Sequence, residues 1–195
     1  YDGLDGYFVH PVSDPAVLAG NATIGLEILE DLPRVASVYV PFGGGGLSCG
    51  IAAALRASGS AALTFACEVE TAAPLVAALA AGAPSAIEYR PSFVDGIGGR
   101  SVLNEMWPLA STLLAGSCVV SREEIAAAIR ILVGRARTVA EGAGAASLAA
   151  ALAGRPAAGA KGATVTRQDG PIVCVVSGGN LDPTKLAAVL EGRVP

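Results

Sequence analysis

Unbroken apolar runs alternate along the chain with stretches in which apolar residues recur at helical spacing. Runs without internal polar alternation are typical of parallel strands that helices cover on both faces. The pattern predicts strands over 7–9, 38–42, 62–69, 118–120 and 172–176, with a short strand or extended piece at 87–90. Predicted helices cover 15–32, 51–57, 72–80, 102–114 and 125–137, a further helix ends near 154, and the last begins after 182. This alternation predicts a single α/β domain over residues 1–195, in which right-handed crossovers join a parallel sheet flanked by helices on both faces.

Polar residues mark the N-terminal starts of three predicted helices. Asp14-Pro15 and Asp182-Pro183 each place a capping side chain before a proline of the first turn, and Ser121-x-x-Glu124 is a capping box. The first helix should turn one apolar face to the core, formed by Val17, Leu18, Ile24, Leu26 and Ile28. The segment 154–170, rich in glycine, alanine and proline, is predicted to be a surface loop without fixed structure.

Four consecutive glycines, Gly43 to Gly46, separate the strand at 38–42 from the helix that follows. Glycines let a ligand approach the backbone closely, and N–H groups at a helix N-terminus favour an anion. The pattern therefore favours a phosphate cradle over a plain turn, for which one or two glycines would suffice. No Gly-Lys-Ser/Thr follows, so the segment is not a P-loop. A second glycine loop, 177–180, follows the strand at 172–176, and the two loops should meet at the carboxyl edge of the sheet.

A dinucleotide site is a second interpretation of the same loop. Gly43 and Gly45 fit the dinucleotide fingerprint, although Ser48 stands where its third glycine belongs. Glu68 or Glu70, at the end of the next apolar run, could then bind the ribose. A Rossmann dehydrogenase is therefore one alternative function.

Composition argues against several classes of partner. Hydrophobic residues make up 52% of the chain and charged residues 15%, and the mean hydropathy is +0.56, so we expect an unusually apolar surface that needs a partner. The net charge of −4 and the pI near 5.0 argue against nucleic acid and against an anionic membrane surface. The longest uncharged stretch, 35–55, is no transmembrane helix, because Pro41 and the four glycines interrupt it.

Four cysteines, Cys49, Cys67, Cys118 and Cys174, lie far apart and mostly inside apolar runs. This spacing favours buried free thiols over a metal site or a disulfide framework, and hence a reducing, cytoplasmic setting. The only histidine, His10, has no cysteine or second histidine nearby and cannot anchor a zinc site alone.

Five motifs, in order along the chain, resemble the threonine dehydratase and serine racemase family of pyridoxal-phosphate enzymes of fold type II. They are Phe8-Val9-His10-Pro11 with Asp14-Pro15, the segment 19–27, the glycine loop 40–47, Asp95-Gly96-Ile97, and Ser177-Gly178-Gly179-Asn180. The resemblance runs from residue 7 to about residue 185. It implies the large domain of these enzymes, whose fold is like that of tryptophan synthase β.

The resemblance also implies a binding site for pyridoxal 5′-phosphate. Backbone N–H groups of the glycine loop would bind its phosphate, the Ser177 hydroxyl would face its pyridine nitrogen, and Gly96 and Glu141 would line the pocket. The implied cofactor-binding residues are Gly43, Gly44, Gly45, Gly46, Leu47, Gly96, Glu141, Ser177 and Gly178. For Glu141 a structural role, as an acid at a helix N-terminus, is an equally good interpretation.

Two parts of such an enzyme have no match in this sequence. The family's Schiff-base lysine lies in an N-terminal motif of the Ser-Phe-Lys type, whereas Lys161 and Lys185 match no such motif and should lie away from the glycine loops. No catalytic residue is therefore assigned here. Glu70 matches the first ligand of the family's divalent-cation site, but no carboxylate follows in 71–78, so no metal is predicted.

The resemblance therefore implies the C-terminal portion of a longer enzyme, without the small domain and the catalytic lysine. The complete protein would convert a β-hydroxy amino acid, its small-molecule substrate, to a 2-oxo acid and ammonia. An amino-acid racemase of the same family and a non-catalytic module for a phosphorylated ligand are alternatives. The isolated chain should be inactive, and a companion N-terminal polypeptide or a homo-oligomer should cover its apolar surface.

Overall fold

The computed structural model describes residues 3, 5–155, 157–159 and 170–195. Its strands are β1 (Ser37–Pro41), β2 (Leu63–Val69), β3 (Gly116–Val120) and β4 (Ile172–Cys174). Its helices are α1 (Pro15–Asp31), α2 (Gly46–Ala57), α3 (Pro74–Ala81), α4 (Trp107–Leu113), α5 (Arg122–Ile131), α6 (Gly142–Ala153) and α7 (Pro183–Leu190). A π-helical turn (Leu132–Ala136) extends α5.

All four strands run parallel in one sheet, in the order β3-β2-β1-β4. The register places Tyr39 of β1 opposite Phe65 of β2 and opposite Cys174 of β4. On the other side of β2, Cys67 lies opposite Cys118 of β3. The predicted parallel α/β sheet is confirmed, and the carboxyl ends of all four strands lie at one edge.

Both faces of the sheet are largely buried at β1, β2 and β3, and this explains why these strands are apolar. On one face the side chain of Tyr39 joins a core formed with α5, α6 and α7. Its neighbours Val38 and Val40 point to the opposite face, where Ile51 and Leu55 of α2 cover them. Successive residues of one strand therefore enter two different cores.

α1 packs closely against α2 through small residues. A Cβ built on Gly25 would lie 2.9 Å from the Cβ of Ala54, and one built on Gly50 would lie 2.7 Å from the Leu18 carbonyl oxygen. The predicted core face of α1 is wrong at Leu26, which is 47% exposed. The buried position is Gly25, because the two helices are too close at this point to admit a larger side chain.

The predicted helix caps are confirmed. Asp14 accepts the Ala16 N–H at 2.8 Å, and Asp182 accepts the Thr184 N–H at 2.7 Å. Ser121 and Glu124 form the predicted capping box at the start of α5.

Several predicted boundaries need correction. Residues 7–9 are not a strand, since no described strand pairs with them and Tyr7 is 85% exposed. Residues 87–90 are extended but lie outside the sheet. The helices expected from 72 and from 102 begin later, at Pro74 and Trp107, because a proline occupies the first turn of each.

The segment 154–170 lies mostly outside the described residues. Within its described part, Ala158 forms an antiparallel bridge with Ser117 of β3. This short piece is therefore attached to the sheet edge, which corrects the expectation of a loop without fixed structure for residues 157–159.

The four thiols are free, as predicted. Cys49, Cys67 and Cys118 are buried and Cys174 is half-buried, and burial raises the pKa of Cys67 well above its usual value. No helix in the described part of the chain is long and apolar enough to cross a bilayer.

Candidate active site

The N-terminus of α2 lies directly beyond the carboxyl end of β1. The Phe42 N–H donates to the Cys67 carbonyl at 2.9 Å, and this bond holds the chain to the sheet up to the first glycine. The next backbone bond in this segment runs from the Cys49 N–H to the Gly45 carbonyl, at 2.9 Å. Between them, the N–H groups of residues 43–48 donate to no other described residue. The helix therefore presents a set of free, partly buried donors, as a phosphate cradle requires.

Glycine is needed in this loop for two physical reasons. Gly45, the N-cap residue of α2, has φ of 96°, a left-handed conformation that side chains disfavour. A Cβ on Gly46 would lie 2.7 Å from the Val12 carbonyl oxygen, and one on Gly44 would lie 2.6 Å from the Val12 side chain. The loop is therefore packed from one side by the segment that precedes α1.

The second glycine loop reaches the same sheet edge. Beyond β4, the Val175 N–H donates to the Tyr39 carbonyl at 3.0 Å, so the parallel register continues past Cys174. Extending that register brings Ser177 level with Phe42, at the start of the first glycine loop. Adjacent strands lie about 4.8 Å apart, so the two loops are neighbours.

Glu141 joins this second loop to the loop containing Gly96. Its N–H donates to the Gly178 carbonyl at 3.1 Å. Its Oε1 atom lies 3.2 Å from where a Cβ on Gly96 would stand, and 2.5 Å from where a Cβ on Gly178 would stand. Gly43, in the first glycine loop, also lies next to Gly96, since a Cβ there would lie 3.6 Å from the Gly96 carbonyl oxygen.

The structure therefore brings the predicted residues together. Contacts of the backbone and of the Glu141 side chain connect Gly43, Gly96, Glu141 and Gly178. Gly44, Gly45, Gly46 and Leu47 continue from Gly43 into the first turn of α2. Ser177 is exposed at the same edge. No described residue makes a hydrogen bond with the Ser177 hydroxyl or with the Glu141 carboxylate, so both groups are available to a ligand.

Neither acid proposed for a dinucleotide ribose is free for that role. Glu68 is fully buried, and its carboxylate accepts the N–H groups of Leu75 at 2.7 Å and Val76 at 3.0 Å. It also accepts the Ser117 hydroxyl at 2.7 Å. Burial raises the pKa of Glu68 to about 7, although these hydrogen bonds act in the opposite direction. Glu68 thus caps α3 from inside the protein.

Glu70 lies at the surface and interacts with the start of α5. Its Oε1 atom accepts the Arg122 N–H at 3.3 Å and lies 3.5 Å from the Arg122 Nε atom. No group of three or more acidic, cysteine or histidine side chains that could hold a metal occurs among the described residues. That no divalent cation binds near Glu70 stays a prediction.

One lysine lies closer to the site than the sequence suggested. The Lys185 Nζ atom lies 3.7 Å from the Asp95 carboxylate, next to Gly96, which corrects the expectation that this lysine lies away from the glycine loops. α7 starts just after the 177–180 loop, and this connection places its first turns near residues 92–99. Lys161 lies outside the described residues.

Sequence reasoning missed two features of this region. The contact of Val12 with the glycine loop had no signal in the sequence beyond the motif Phe8-Val9-His10-Pro11, which directly precedes this residue. The internal cap from Glu68 did have a signal, because a single carboxylate inside an otherwise apolar strand must find donors.

Comparison with protein families gives one match that covers most of the chain. The model of the "Pyridoxal-phosphate dependent enzyme" family matches residues 2–178. Among curated proteins, the L-threonine ammonia-lyase of Geobacter sulfurreducens is 39% identical over 184 residues, and that of Thermotoga maritima is 37% identical over 184 residues. Each alignment covers 94% of this chain but only 44% and 43% of the relative. The chain thus spans less than half the length of these two proteins.

Solved structures show the same partial coverage. The processed form of threonine deaminase isoform 2 from Solanum lycopersicum superposes with a TM-score of 0.80 at 28% identity, over 94% of this chain and 52% of that one. Maize serine racemase superposes with a TM-score of 0.79 at 26% identity, over 94% and 56%. The fold predicted from the sequence is confirmed by these superpositions.

Proposed function

The chain belongs to the family of pyridoxal-phosphate dependent enzymes, and we propose that the complete protein is a serine or threonine dehydratase. It would convert a β-hydroxy amino acid to a 2-oxo acid and ammonia. The observation that carries this proposal is the set of free N–H groups at residues 43–48, which lies beside the Ser177 loop at one sheet edge. The curated relatives are named for ammonia loss from threonine, and this supports the choice of reaction.

The residues of this edge fit the cofactor. A phosphate dianion needs several donors at close range, and the first turn of α2 offers them together with its helix dipole. The four glycines carry no side chain that could fill the cradle, and Val12 leaves no room for one at Gly44 or Gly46. The proposed cofactor residues are the nine predicted ones, namely Gly43, Gly44, Gly45, Gly46, Leu47, Gly96, Glu141, Ser177 and Gly178.

Each group would have a distinct task. The N–H groups of the glycine loop would hold the phosphate and so fix the position of the cofactor. The exposed Ser177 hydroxyl, a neutral group, would hydrogen-bond the pyridine nitrogen without protonating it fully. Pyridoxal phosphate, when bound, supplies the electron sink for loss of the α-proton and the β-hydroxyl. A serine partner makes that sink weaker than a carboxylate would, which suits elimination.

Gly96, Gly178 and Glu141 would form the wall of the pocket. A side chain at Gly96 or Gly178 would collide with Glu141, so glycine at both positions leaves room for the carboxylate, which would line the pocket. Because the Glu141 carboxylate has no hydrogen-bond partner among the described residues, it can orient a substrate or cofactor group.

The lysine that binds the cofactor covalently would come from the portion of the protein outside this chain. We place this chain at the C-terminal side of the complete enzyme, as one α/β domain. β4 is at the edge of the sheet, its side chains are only half-buried, and Val176 beyond it is 37% exposed. The remaining portion of the enzyme, as a companion polypeptide or within one chain, would cover this edge.

The test uses the complete protein, purified with pyridoxal phosphate. We expect a bound chromophore, and 2-oxo acid and ammonia released from L-threonine or L-serine. Ser177→Ala should keep the cofactor, shift its absorbance spectrum and lower the rate. The control Ser111→Ala, on α4, should change neither the spectrum nor the rate. Appearance of D-serine without ammonia would assign the racemase instead. A protein that neither binds the cofactor nor releases ammonia would overturn the proposal.

A further inference from the structure

A tight turn precedes α1, and the ring of His10 holds it together. The His10 Nδ1 atom accepts the Ser13 N–H at 3.0 Å and the Val12 N–H at 3.3 Å. The Ser13 hydroxyl lies 2.9 Å from the same nitrogen. An atom that accepts two backbone N–H groups carries a lone pair, so the proton of the neutral ring is on Nε2.

This turn places Val12 directly on the phosphate loop. The Val12 carbonyl oxygen is 2.7 Å, and its Cα atom 3.2 Å, from the position that a Cβ on Gly46 would take. Its two methyl groups lie 2.6 and 2.7 Å from the Cβ position of Gly44. Main chain therefore packs against main chain where the free N–H groups begin.

We propose that His10 is a positioning residue for the phosphate loop, acting through Val12. It touches neither the cofactor nor the substrate. Its acceptor nitrogen fixes the turn at residues 10–13, the turn fixes Val12, and Val12 fixes the direction of the N–H groups of Gly44 and Gly46. The inference rests on the proposed function, because the loop must bind a phosphate for its direction to matter.

The surroundings of His10 support this role. The ring is half-buried, and Phe8 contacts it edge to face at 6.1 Å between ring centroids. Helix α1 begins directly after this turn, and its N-cap residue Asp14 accepts the Ala16 N–H independently of the histidine. Loss of the His10 acceptor should therefore loosen residues 11–13 and leave α1 in place.

The experiment uses the complete protein and compares two probes, pyridoxal phosphate and pyridoxal, which lacks the phosphate. His10→Leu keeps the branching of the side chain and removes the acceptor, whereas His10→Asn restores an acceptor oxygen at the place of Nδ1. For His10→Leu we expect the Kd of pyridoxal phosphate to rise about tenfold, the size of losing one hydrogen bond to a charged group. The Kd of pyridoxal should stay unchanged, and the phosphorus NMR signal of the bound cofactor should move. His10→Asn should restore both.

Two controls separate positioning from a general loss of structure. Tyr7→Ala changes a neighbouring side chain that is 85% exposed and should alter no Kd. Ser13→Ala removes only the hydroxyl contact and should give a smaller shift in the same direction, which keeps the inference testable if His10→Leu does not fold.

Each outcome decides between the two proposals. Equal weakening of both probes in His10→Leu, an unchanged Kd for pyridoxal phosphate, or failure of His10→Asn to restore binding overturns the role of His10 alone. If the wild-type protein binds pyridoxal phosphate no better than pyridoxal, the glycine loop does not bind the phosphate. Both the proposed function and this inference are then overturned.

Discussion

Helices α2 and α3 both begin without a capping side chain at their N-cap residues, and they differ in what meets their N–H groups. α2 and α3 each follow a strand of the sheet, and their N-cap residues are Gly45 and Ala73. At α3 the Glu68 carboxylate accepts the donors of Leu75 and Val76. At α2 no described residue accepts the donors of residues 43–48.

The difference shows which donors the fold satisfies itself. The first turn of α3 enters the core at Leu75, which is buried, and there an internal carboxylate satisfies the N–H groups of the helix. α2 begins at the open carboxyl edge of the sheet, where a ligand or water can do so. The free donors of α2 are therefore available to a ligand, whereas the paired donors of α3 contribute to stability.

The largest expected effect comes from removing the internal acceptor. Glu68→Ala would leave two backbone N–H groups and the Ser117 hydroxyl without a partner in a buried place. The free energy of unfolding of the complete protein should fall by about 4 kcal/mol, since each unsatisfied buried donor costs roughly 1–3 kcal/mol. Urea denaturation measures this, and Kd for pyridoxal phosphate should stay the same in the folded variant. An equal loss of cofactor binding would mean that the two helix ends are coupled.

The pH dependence of stability tests the same carboxyl group. Burial raises the pKa of Glu68 in the folded protein from 4.5 to about 7, so the folded state binds its proton more tightly than the unfolded state. The stability from this group is therefore fully present below about pH 4.5 and is lost as the pH rises through about 7. The loss amounts to about 3 kcal/mol between those limits.

Glu68→Gln, which cannot ionise, should remove this pH-dependent loss. Urea denaturation at a series of pH values measures the slope for both proteins. If the variant and the wild type lose stability in parallel as the pH rises, another group is responsible.

Much of the fold could be predicted because its signals are local. The apolar run at 38–42, the four glycines and the caps at Asp14, Ser121 and Asp182 each depend on a few neighbouring residues. The strand predicted from the apolar run at 7–9 is wrong because strand formation depends on a distant segment. A strand exists only if another strand pairs with it, and an isolated sequence segment carries no information about its partner.

The residues of the candidate site could be proposed from the sequence, but the contacts that hold them in place could not. Glycine motifs at known strand ends indicate where a ligand binds. The contact between Val12 and Gly46 and the cap from Glu68 to Leu75 depend on how distant segments approach each other. Gly25 shows the same limit inside a helix, because only the closeness of α2 explains why a glycine, not Leu26, faces the core.

A smaller effect should follow from disturbing the free donors of α2. Gly46→Ala brings a Cβ to 2.7 Å from the Val12 carbonyl oxygen, so backbone has to move. We expect binding of pyridoxal phosphate to the complete protein to weaken by about 2 kcal/mol, the size of hydrogen bonds lost to a charged group.

Gly43→Ala is the matched control in the same loop. Its Cβ would make ordinary contacts at 3.6 Å, and its φ is not in the left-handed region. Fluorescence titration of both variants gives the two affinities. Equal weakening by both substitutions would contradict the view that the contact with Val12 sets the direction of the donors.

The smallest effect should come from a third helix start, at α5, where a carboxylate is also present but lies in solvent. Glu70 accepts the Arg122 N–H at 3.3 Å, and both side chains are about 40% exposed. The capping box of Ser121 and Glu124 already satisfies this helix end. Glu70→Ala should therefore lower the free energy of unfolding by less than about 1 kcal/mol, as is usual for exposed pairs.

Glu105→Ala controls for the loss of one exposed negative charge, since no described residue pairs with Glu105. Urea denaturation at low and at high salt should show a small difference between the two variants that disappears as salt screens the pair. Glu70→Ala should cost little because water already solvates the partners of Glu70, whereas no group replaces the buried Glu68 carboxylate when it is removed. A loss at Glu70 as large as that at Glu68 would show that burial is not what separates a carboxylate that stabilises the fold from one that merely lies near a helix end.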